Sequence, residues 1–483
     1  MEQFVCQINN SIFVLQTKTS TMKIYEDLKL RFEKPLWLLS PELAVADVLI
    51  ESNPEYINIV SKDVLEGLKN NNQGRKDNLT VEQVLRAAIY KEMKRLTYSE
   101  LEFAQFNSEI CKAFLKLSNR KPFSDSVLQT YITKIKPENL SLIMKGIVNA
   151  AIELGYEDCS QIRTDSTAIE TNIQHPTNNS LVYDCIKKAT FFLSNMTEKH
   201  SESFRLLEER RQKAKKMNYE INNIKTNKFD KEAIRLKKTQ EMKSLFEEYL
   251  TILKDIKDEL KSFIENNLKE LEDKEQDRIK DLERQIGIVY TNAYQFQIEG
   301  KKIKNENKIF SIFEEHTDIL VKGIRDIVFG HKVNLTSGKS NLILYCKIEK
   351  GNPKDTDLFI EPITEIKESY QKPINSISTD GGYASLANVK KGLKEGLKNI
   401  VFTKIVGSLK SVVENEEIEK MLKKWRSGME AVISNLKRGF DLRRVDWKGE
   451  VLFNAKVLWS VVAYNIRILT GHLLKTYHHE QLG

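Results

Sequence analysis

The stretch Gln161-Ile-Arg-Thr-Asp-Ser-Thr-Ala-Ile-Glu170 alternates between two sets of side chains, which is the period of a β-strand. The members of one set are Arg163, Asp165, Thr167 and Ile169, and those of the other are Ile162, Thr164, Ser166 and Ala168. Arg163 is the only charged residue in this stretch that precedes Glu170, apart from Asp165 itself. Because most acids are solvated surface groups among other polar residues, this setting predicts a specific role for Asp165.

Two further strand-like stretches are joined by a short polar loop. Phe329-Gly-His-Lys-Val-Asn-Leu335 and Asn341-Leu-Ile-Leu-Tyr-Cys-Lys-Ile348 lie on either side of Thr336-Ser-Gly-Lys-Ser340. A short loop with an internal glycine between two such stretches is typical of a β-hairpin.

Helices and strands alternate after this hairpin. The sequence predicts helices at 362–370, 384–397 and 417–437, and strands at 374–379 and 399–403. Asp380 follows the first of these strands and precedes Gly381-Gly382, where the backbone can approach a ligand closely. Glu430 lies within the last predicted helix.

The order strand, hairpin, helix, strand, helix, strand, helix matches an α/β, RNase H-like fold with a mixed sheet. The match requires a long helical, coiled-coil-like insertion after the first core strand, and it places Asp165 and Asp380 on neighbouring strands. The predicted segments are an N-terminal extension with mixed helical character (1–78), a helical domain (79–155), the first part of the RNase H-like core (156–176), the helical insertion (177–310), the remainder of the core (311–449), and a C-terminal helix and tail (450–483).

The predicted insertion has the composition of long helices. No glycine occurs at residues 156–286 and no proline at residues 177–352, while apolar residues at 253–289 recur mostly at three- and four-residue steps. These features predict an antiparallel helical hairpin or coiled coil that turns near residues 222–229. Such an arm is either a solvated structural element or an element that dimerises or contacts DNA.

The segment before the first core strand has a helical pattern. Its apolar residues at three- and four-residue intervals are Val81, Val84, Leu85, Ala88 and Ile89. Thr97-x-x-Glu100 and Ser126-x-x-Gln129 both fit the capping-box pattern, so several short helices are expected. The domain is either DNA-binding or a structural bundle, since no recognition helix is evident.

Composition sets broad limits on function. The 483 residues carry a net charge of +8 with 40% hydrophobic and 30% charged residues, which predicts two or three folded units and permits a phosphate backbone as partner. The five cysteines form no Cys-x-x-Cys pair and have no histidine partner at zinc spacing, so we expect a reducing compartment and no structural zinc.

The apolar stretch at 451–474 is the longest near the C-terminus. The residues that interrupt it are Asn454, Lys456, Asn465 and Arg467. The stretch therefore predicts a buried helix rather than a membrane span. Residues 1–21 lack the basic start and continuous apolar centre of a secretory signal, so we expect a cytoplasmic, nucleoid-associated protein with no membrane partner.

Asp165, Asp380 and Glu430 together suit Mg²⁺ chemistry. A few carboxylates on a rigid sheet and helix are the ligands that hard divalent cations prefer, with Mn²⁺ as a substitute for Mg²⁺. Two such ions about 4 Å apart can activate a water or a 3′-hydroxyl and stabilise the leaving oxygen of a phosphodiester. The sequence thus predicts a metal-dependent nucleic-acid enzyme with these three acids as catalytic metal ligands.

Cations surround Glu430 in the sequence. Arg426 and Lys437 share its predicted helical face, four residues before it and seven after it. Arg438, Arg443, Arg444 and Lys448 extend the basic surface. Since phosphate oxygens bind such side chains, we expect a DNA strand to run here.

Several of these motifs occur together in a known order. They are Asp165-Ser-Thr-Ala-Ile-Glu-Thr-Asn-Ile-Gln-His-Pro-Thr177, Ser311-Ile-Phe-Glu-Glu-His-Thr-Asp-Ile-Leu-Val-Lys-Gly323 with the 329–335 strand, Thr379-Asp-Gly-Gly-Tyr-Ala-Ser385, and Arg426-x-x-x-Glu430 followed by Lys437. From about residue 79 to its end, the chain resembles bacterial insertion-sequence DDE transposases of the ISNCY-type group. Similar transposases often carry tyrosine where this chain has Lys423.

The resemblance implies a DDE transposase in which Asp165, Asp380 and Glu430 bind metal. It also implies that Arg426, Lys437, Arg438, Arg443 and Arg444 contact DNA. Such enzymes bind the terminal inverted repeats of an element, cleave at its ends and join the 3′-ends to target DNA, and two ends suggest a homodimer on double-stranded DNA. Two alternatives remain: an RNase H-like nuclease without transposition, and a non-catalytic coiled-coil DNA-binding protein.

Overall fold

The computed structural model describes residues 4–8, 11–15, 39–67, 78–117, 121–196, 202–225, 231–267, 271–322, 326–403 and 409–482. The chain divides into two compact units. Unit 1 contains the chain up to Thr171 and from Gly330 onward, and unit 2 is Asn172–Phe329.

Unit 1 begins with two short strands and continues as a group of helices. The strands pair antiparallel, and they are β1 (Phe4–Ile8) and β2 (Ser11–Leu15). The helices are α1 (Pro41–Ser52), α2 (Glu55–Val64), α3 (Val81–Lys94), α4 (Tyr98–Asn107), α5 (Glu109–Phe114), α6 (Asp125–Ile132) and α7 (Pro137–Glu153). The helical character predicted for 79–155 is confirmed.

The two predicted capping boxes have different outcomes. The Thr97 hydroxyl accepts from the Glu100 amide and the Glu100 carboxylate accepts from the Thr97 amide, so the first capping box is confirmed. The second is wrong, because α6 begins one residue before Ser126 and Ser124 is its N-cap residue. Ser126 lies inside the first turn, where its amide donates to the Asp125 carboxylate instead.

A mixed sheet of seven strands forms the RNase H-like core. Its strands are β3 (Gln161–Thr171), β4 (Asp318–Lys322), β5 (Asp326–Ser337), β6 (Ile343–Ile348), β7 (Ser376–Asp380), β8 (Asn399–Thr403) and β9 (Arg444–Val445). The main order is β4-β5-β3-β7-β8, with β6 paired to β5 and β9 paired to β3. The predicted hairpin is β5 and β6, and the predicted strand at 399–403 is β8.

The register between β3 and β7 positions the two aspartates. These strands are parallel, and Gln161 pairs with Ser376 through to Thr164 with Thr379. The next residue on each strand is Asp165 on β3 and Asp380 on β7. Neighbouring strands are about 4.8 Å apart, so the two acids lie side by side on one face of the sheet.

Helices cover both faces of the sheet. They are α12 (Ile360–Tyr370), α13 (Leu386–Lys394), α14 (Glu416–Arg426), α15 (Gly428–Gly439) and α16 (Glu450–Leu482). Ser378, on the face of Asp380, donates to the Leu422 carbonyl of α14 at 3.1 Å. Phe402 on the opposite face packs on Phe359, with ring centroids 6.0 Å apart. The acids therefore face the α14–α15 side.

Helix α16 is the one helix in the described part of the chain that is long and apolar enough to cross a membrane, over Glu450–Thr476. Within its most apolar window, 72% is buried inside the protein. It packs against α7, α3 and β6. The Asn465 side chain accepts a hydrogen bond from the Ile343 amide and donates one to the Ile343 carbonyl. The prediction of a buried helix is thus confirmed.

Unit 2 consists mainly of four helices around their own apolar core. They are α8 (Asn178–Met196), α9 (Glu202–Asn223), α10 (Glu232–Asn267) and α11 (Asp273–Gln297). Helix α8 packs against each of the other three, and α10 packs against α9 and α11. The buried residues of this core include Val182, Ile186, Leu207, Met217, Phe246, Leu253, Ile256, Leu282 and Ile286.

The expected two-helix hairpin or coiled coil is therefore wrong in its number of helices. Its turn, predicted near residues 222–229, does fall between α9 and α10, although residues 226–230 lie outside the described ones. The helices at either end were missed because the sequence has no glycine or proline at residues 196–202 or 267–273 to mark a helix end.

Candidate active site

Asp165 and Asp380 are held by local backbone contacts at the site. One carboxylate oxygen of Asp165 accepts from the Ser166 amide at 2.9 Å, and one of Asp380 accepts from the Gly381 amide at 2.8 Å. The second carboxylate oxygen of each residue, Oδ2, faces Arg426 on α14. The sheet therefore presents two neighbouring carboxylates to the helices above them.

Helices α14 and α15 bring Glu430 to the same place. Ser427 lies between them and keeps helical dihedral angles, so the predicted single helix at 417–437 is interrupted by only one residue. Arg426 and Glu430 therefore keep their (i, i+4) relation, with Nη1 of Arg426 at 3.1 Å from Oε1 of Glu430.

Arg163, two residues before Asp165 on β3, fixes the junction between α14 and α15. Its guanidinium donates to the Trp425 carbonyl, the Asn341 side chain and the Ser337 hydroxyl, and it stacks on the Trp425 ring at 4.7 Å. A Cβ at Gly428 would lie 2.1 Å from Nη1 of Arg163. The start of α15 is thus glycine because the buried Arg163 occupies the space beside it.

The guanidinium of Arg426 lies among the three acids. Its Nη2 is 2.7 Å from Oδ2 of Asp165 and 3.6 Å from Oδ2 of Asp380, and its Nη1 contacts Glu430. The Arg426 side chain is only 5% exposed. The structure therefore brings Asp165, Asp380 and Glu430 together around one buried cation.

The charges in this cluster do not balance. Three carboxylates face one guanidinium, which leaves a net charge of about −2 if all three acids are ionised. Burial raises the pKa of Asp165 to about 6, Arg426 opposes that shift, and the nearby charges of Asp380 and Asp355 add to it. A site of this charge attracts a further cation.

Asp355 is a fourth acid that the sequence analysis missed. It lies in a short 3₁₀ helix, Asp355–Leu358, and its Oδ1 accepts from the Ser166 hydroxyl at 3.1 Å and from Nζ of Lys332 at 3.2 Å. Its Oδ2 would be 2.7 Å from a Cβ at Gly382. Gly382 therefore makes room for Asp355. The signal available in the sequence was the end of β6, followed by a turn that contains the two acids Asp355 and Asp357.

The predicted DNA-contacting cations differ in their surroundings. Arg426 is buried among the acids, and Nζ of Lys437 donates to the Ala168 carbonyl of β3 at 2.8 Å. Arg438, Arg443 and Arg444 are exposed. Arg438 and Glu430 line an open depression of about 750 Å³ on the surface of α15.

The residues suit a divalent cation in chemistry but not in their present arrangement. All three acids supply carboxylate oxygens and carry excess negative charge, as Mg²⁺ or Mn²⁺ requires. Within the described ranges, however, no group of three acidic, histidine or cysteine side chains is placed so that it could hold one ion. Arg426 lies between the acids where a shared cation would lie.

One comparison with known proteins found a match. Residues 328–466 match the family model of the transposase DDE domain. This part of the chain is therefore similar to a transposase DDE domain. It contains Asp380, Arg426, Glu430 and Lys437, which includes two of the three acids in the cluster.

The match to the DDE domain covers less than a third of the chain. Asp165 lies outside it, because unit 2 separates β3 from the rest of the sheet in the sequence. The structure nevertheless joins β3 to β5 and β7, which lie wholly or mostly in the matched region. No curated protein and no solved structure matched the chain.

Proposed function

We propose that this protein is a transposase of the ISNCY-type group, which binds the inverted repeats at the ends of an insertion sequence, cleaves there and joins the 3′-ends to target DNA. The observation that carries the proposal is the convergence of Asp165, Asp380 and Glu430 in a fold whose DDE domain matches a transposase family. The oxygen-rich, negatively charged cluster suits phosphoryl transfer.

In this proposal the three acids are the ligands of divalent cations. Bound Mg²⁺ or Mn²⁺ would supply charge stabilisation at the phosphodiester and an activated oxygen nucleophile. Asp165 and Asp380 approach from fixed positions on β3 and β7, and Glu430 approaches from α15. Glu430 is 63% exposed, so it lies on the side from which DNA would enter.

Other residues hold these groups and the DNA. Arg163 is a positioning residue, because it ties β3 to the end of α14 and so fixes the approach of Glu430. The exposed Arg438, Arg443 and Arg444, with Lys437, would bind backbone phosphates of the DNA. We propose that Arg426 also contacts DNA, once its acidic partners are otherwise occupied.

Binding by several cations should depend strongly on salt, because each phosphate contact releases counterions. Two copies of the chain would act together, one at each end of the element. The helices of residues 79–155 would contribute to DNA binding, and the protein would work in the cytoplasm on the nucleoid.

The test is a cleavage assay with Mg²⁺ or Mn²⁺ on DNA that carries the flanking ends of the encoding gene. Wild-type protein is expected to cut at the ends, and Glu430→Gln is expected to cut at least about a hundredfold more slowly, since a metal ligand becomes a neutral amide. The rate of product formation on sequencing gels measures the effect.

Glu417→Gln is the matched control, because Glu417 is an exposed acid on the neighbouring helix α14. It should cut at the wild-type rate. Equal cutting of DNA without the terminal repeats would favour a nuclease that does not transpose. Full activity of Glu430→Gln would contradict the proposed role of the acids.

A further inference from the structure

We propose that Arg426 is a built-in counter-cation of the acid cluster, which holds the three carboxylates together and competes with divalent cations for them. The inference rests on the proposed function, since it concerns the same cluster. It assigns to Arg426 a positioning role that is distinct from contact with a DNA phosphate.

The contacts of Arg426 are directed at the acids. Its Nη2 lies between Asp165 and Asp380, at 2.7 and 3.6 Å, and its Nη1 lies 3.1 Å from Glu430. Its Nε is buried and has no hydrogen-bond partner among the described residues. The guanidinium is therefore held in the site only through Nη1 and Nη2, which contact the carboxylates.

A divalent cation and this guanidinium need the same oxygens. Oxygens bound to one ion lie within 2.0–2.6 Å of it, so carboxylates that share an ion leave no room for a guanidinium between them. The positive charges also repel each other across a few ångströms. Either Arg426 or the shared ion can occupy the centre of the cluster.

The cluster is open to an incoming cation on one side. The Asp165 and Arg426 side chains are 18% and 5% exposed, whereas those of Asp380 and Glu430 are 38% and 63% exposed. The Glu430 side chain can therefore move away from Arg426 into solvent without disturbing the sheet. Loss of this partner weakens the hold on the guanidinium, which makes its displacement stepwise.

The experiment compares the binding of Mn²⁺ to the full chain without DNA, measured from the electron paramagnetic resonance signal of the free ion. If Arg426 competes, Arg426→Gln should bind Mn²⁺ at least about tenfold more tightly than wild type, because the site loses one positive charge. Arg426→Lys keeps that charge and should fall between the two.

Lys424→Gln is the matched control, because it removes the same charge from an exposed position two residues away on α14. Its affinity for Mn²⁺ should equal that of wild type. Asp380→Asn should weaken binding in every background.

The melting temperature provides a second measurement, made without the electron paramagnetic resonance signal. In chelator, Arg426→Gln should melt below wild type, since three acids lose their shared cation, and Mn²⁺ should raise its melting temperature more than that of wild type. Should Arg426→Gln not fold, Arg426→Lys tests the same direction of change, with smaller expected differences from wild type.

Different results would overturn the competing role of Arg426 and the proposed metal-dependent function. If wild type binds Mn²⁺ and cuts DNA but Arg426→Gln binds Mn²⁺ equally or more weakly, Arg426 supports the ligands instead of competing, and only the present inference is overturned. If neither wild type nor any variant binds Mn²⁺, the proposed metal-dependent function is overturned as well.

Discussion

Replacement of Asp380 by asparagine is expected to slow metal-dependent DNA cleavage by about a thousandfold or more. The change keeps the shape of the side chain but removes one of the negative charges that would hold a cation at the scissile phosphate. Charge stabilisation by a metal in the transition state is worth several kcal/mol, and each 1.4 kcal/mol is about tenfold in rate. Single-turnover cleavage of DNA that carries the element's ends measures the effect.

Asp357→Asn is the appropriate control for this variant. Asp357 is an exposed acid in the same 3₁₀ helix as Asp355, so its replacement removes the same charge close to the site. It should keep the wild-type rate, and both variants should keep the wild-type melting temperature to within a few degrees. Cleavage by Asp380→Asn at the rate of Asp357→Asn would show that the cluster is not catalytic.

Replacement of Gly330 by alanine is expected to destabilise unit 1 severely. Gly330 pairs with Glu170 across β5 and β3, and a Cβ there would lie 1.9 Å from the Ile169 carbonyl oxygen and 2.7 Å from the Glu170 Cα. Both are backbone atoms, so the two strands must separate to relieve the overlap. Overpacking of this kind costs about 3 kcal/mol or more.

The melting temperature measured by calorimetry should fall by about 6 °C or more for Gly330→Ala. Gly471→Ala is the control in the same unit, because Gly471 lies on α16 with nothing within 4 Å of its Cβ position. Alanine there should raise stability by about 0.5–1 kcal/mol, since it favours a helix. An unchanged melting temperature for Gly330→Ala would mean that β5 and β3 do not pair in this register.

Much of the core could be predicted because strands leave local signals. The alternation of side chains around Asp165 predicted β3, and the glycine-containing loop predicted the hairpin of β5 and β6. The strand predicted at 399–403 has the bounds of β8. The order of these elements then limited the topology to few choices. Parallel pairing of β3 with β7 follows from that topology, and it places Asp165 beside Asp380.

Features that depend on long-range packing were not visible in the sequence. Asp355 reaches Ser166 from a position 189 residues away, and no periodicity marks such a contact. The four helices of unit 2 share one apolar core, so the apolar pattern of any pair resembles that of a simple hairpin.

The same limit applies to Arg426. Its spacing from Glu430 predicted a shared helical face, and that pairing is present. The sequence could not show that the guanidinium is buried among Asp165, Asp380 and Glu430, because this follows from how α14 packs on the sheet. Its expected contact with DNA stays a prediction.

The position of the bound metal can be measured by diffraction from crystals grown with MnCl₂ and DNA ends, recorded at the manganese absorption edge. We expect an anomalous peak within about 2.0–2.6 Å of carboxylate oxygens of both Asp165 and Asp380, with the Arg426 guanidinium moved away from them. Manganese peaks elsewhere on the protein, with Arg426 still between Asp165, Asp380 and Glu430, would rule out a catalytic metal site formed by these acids.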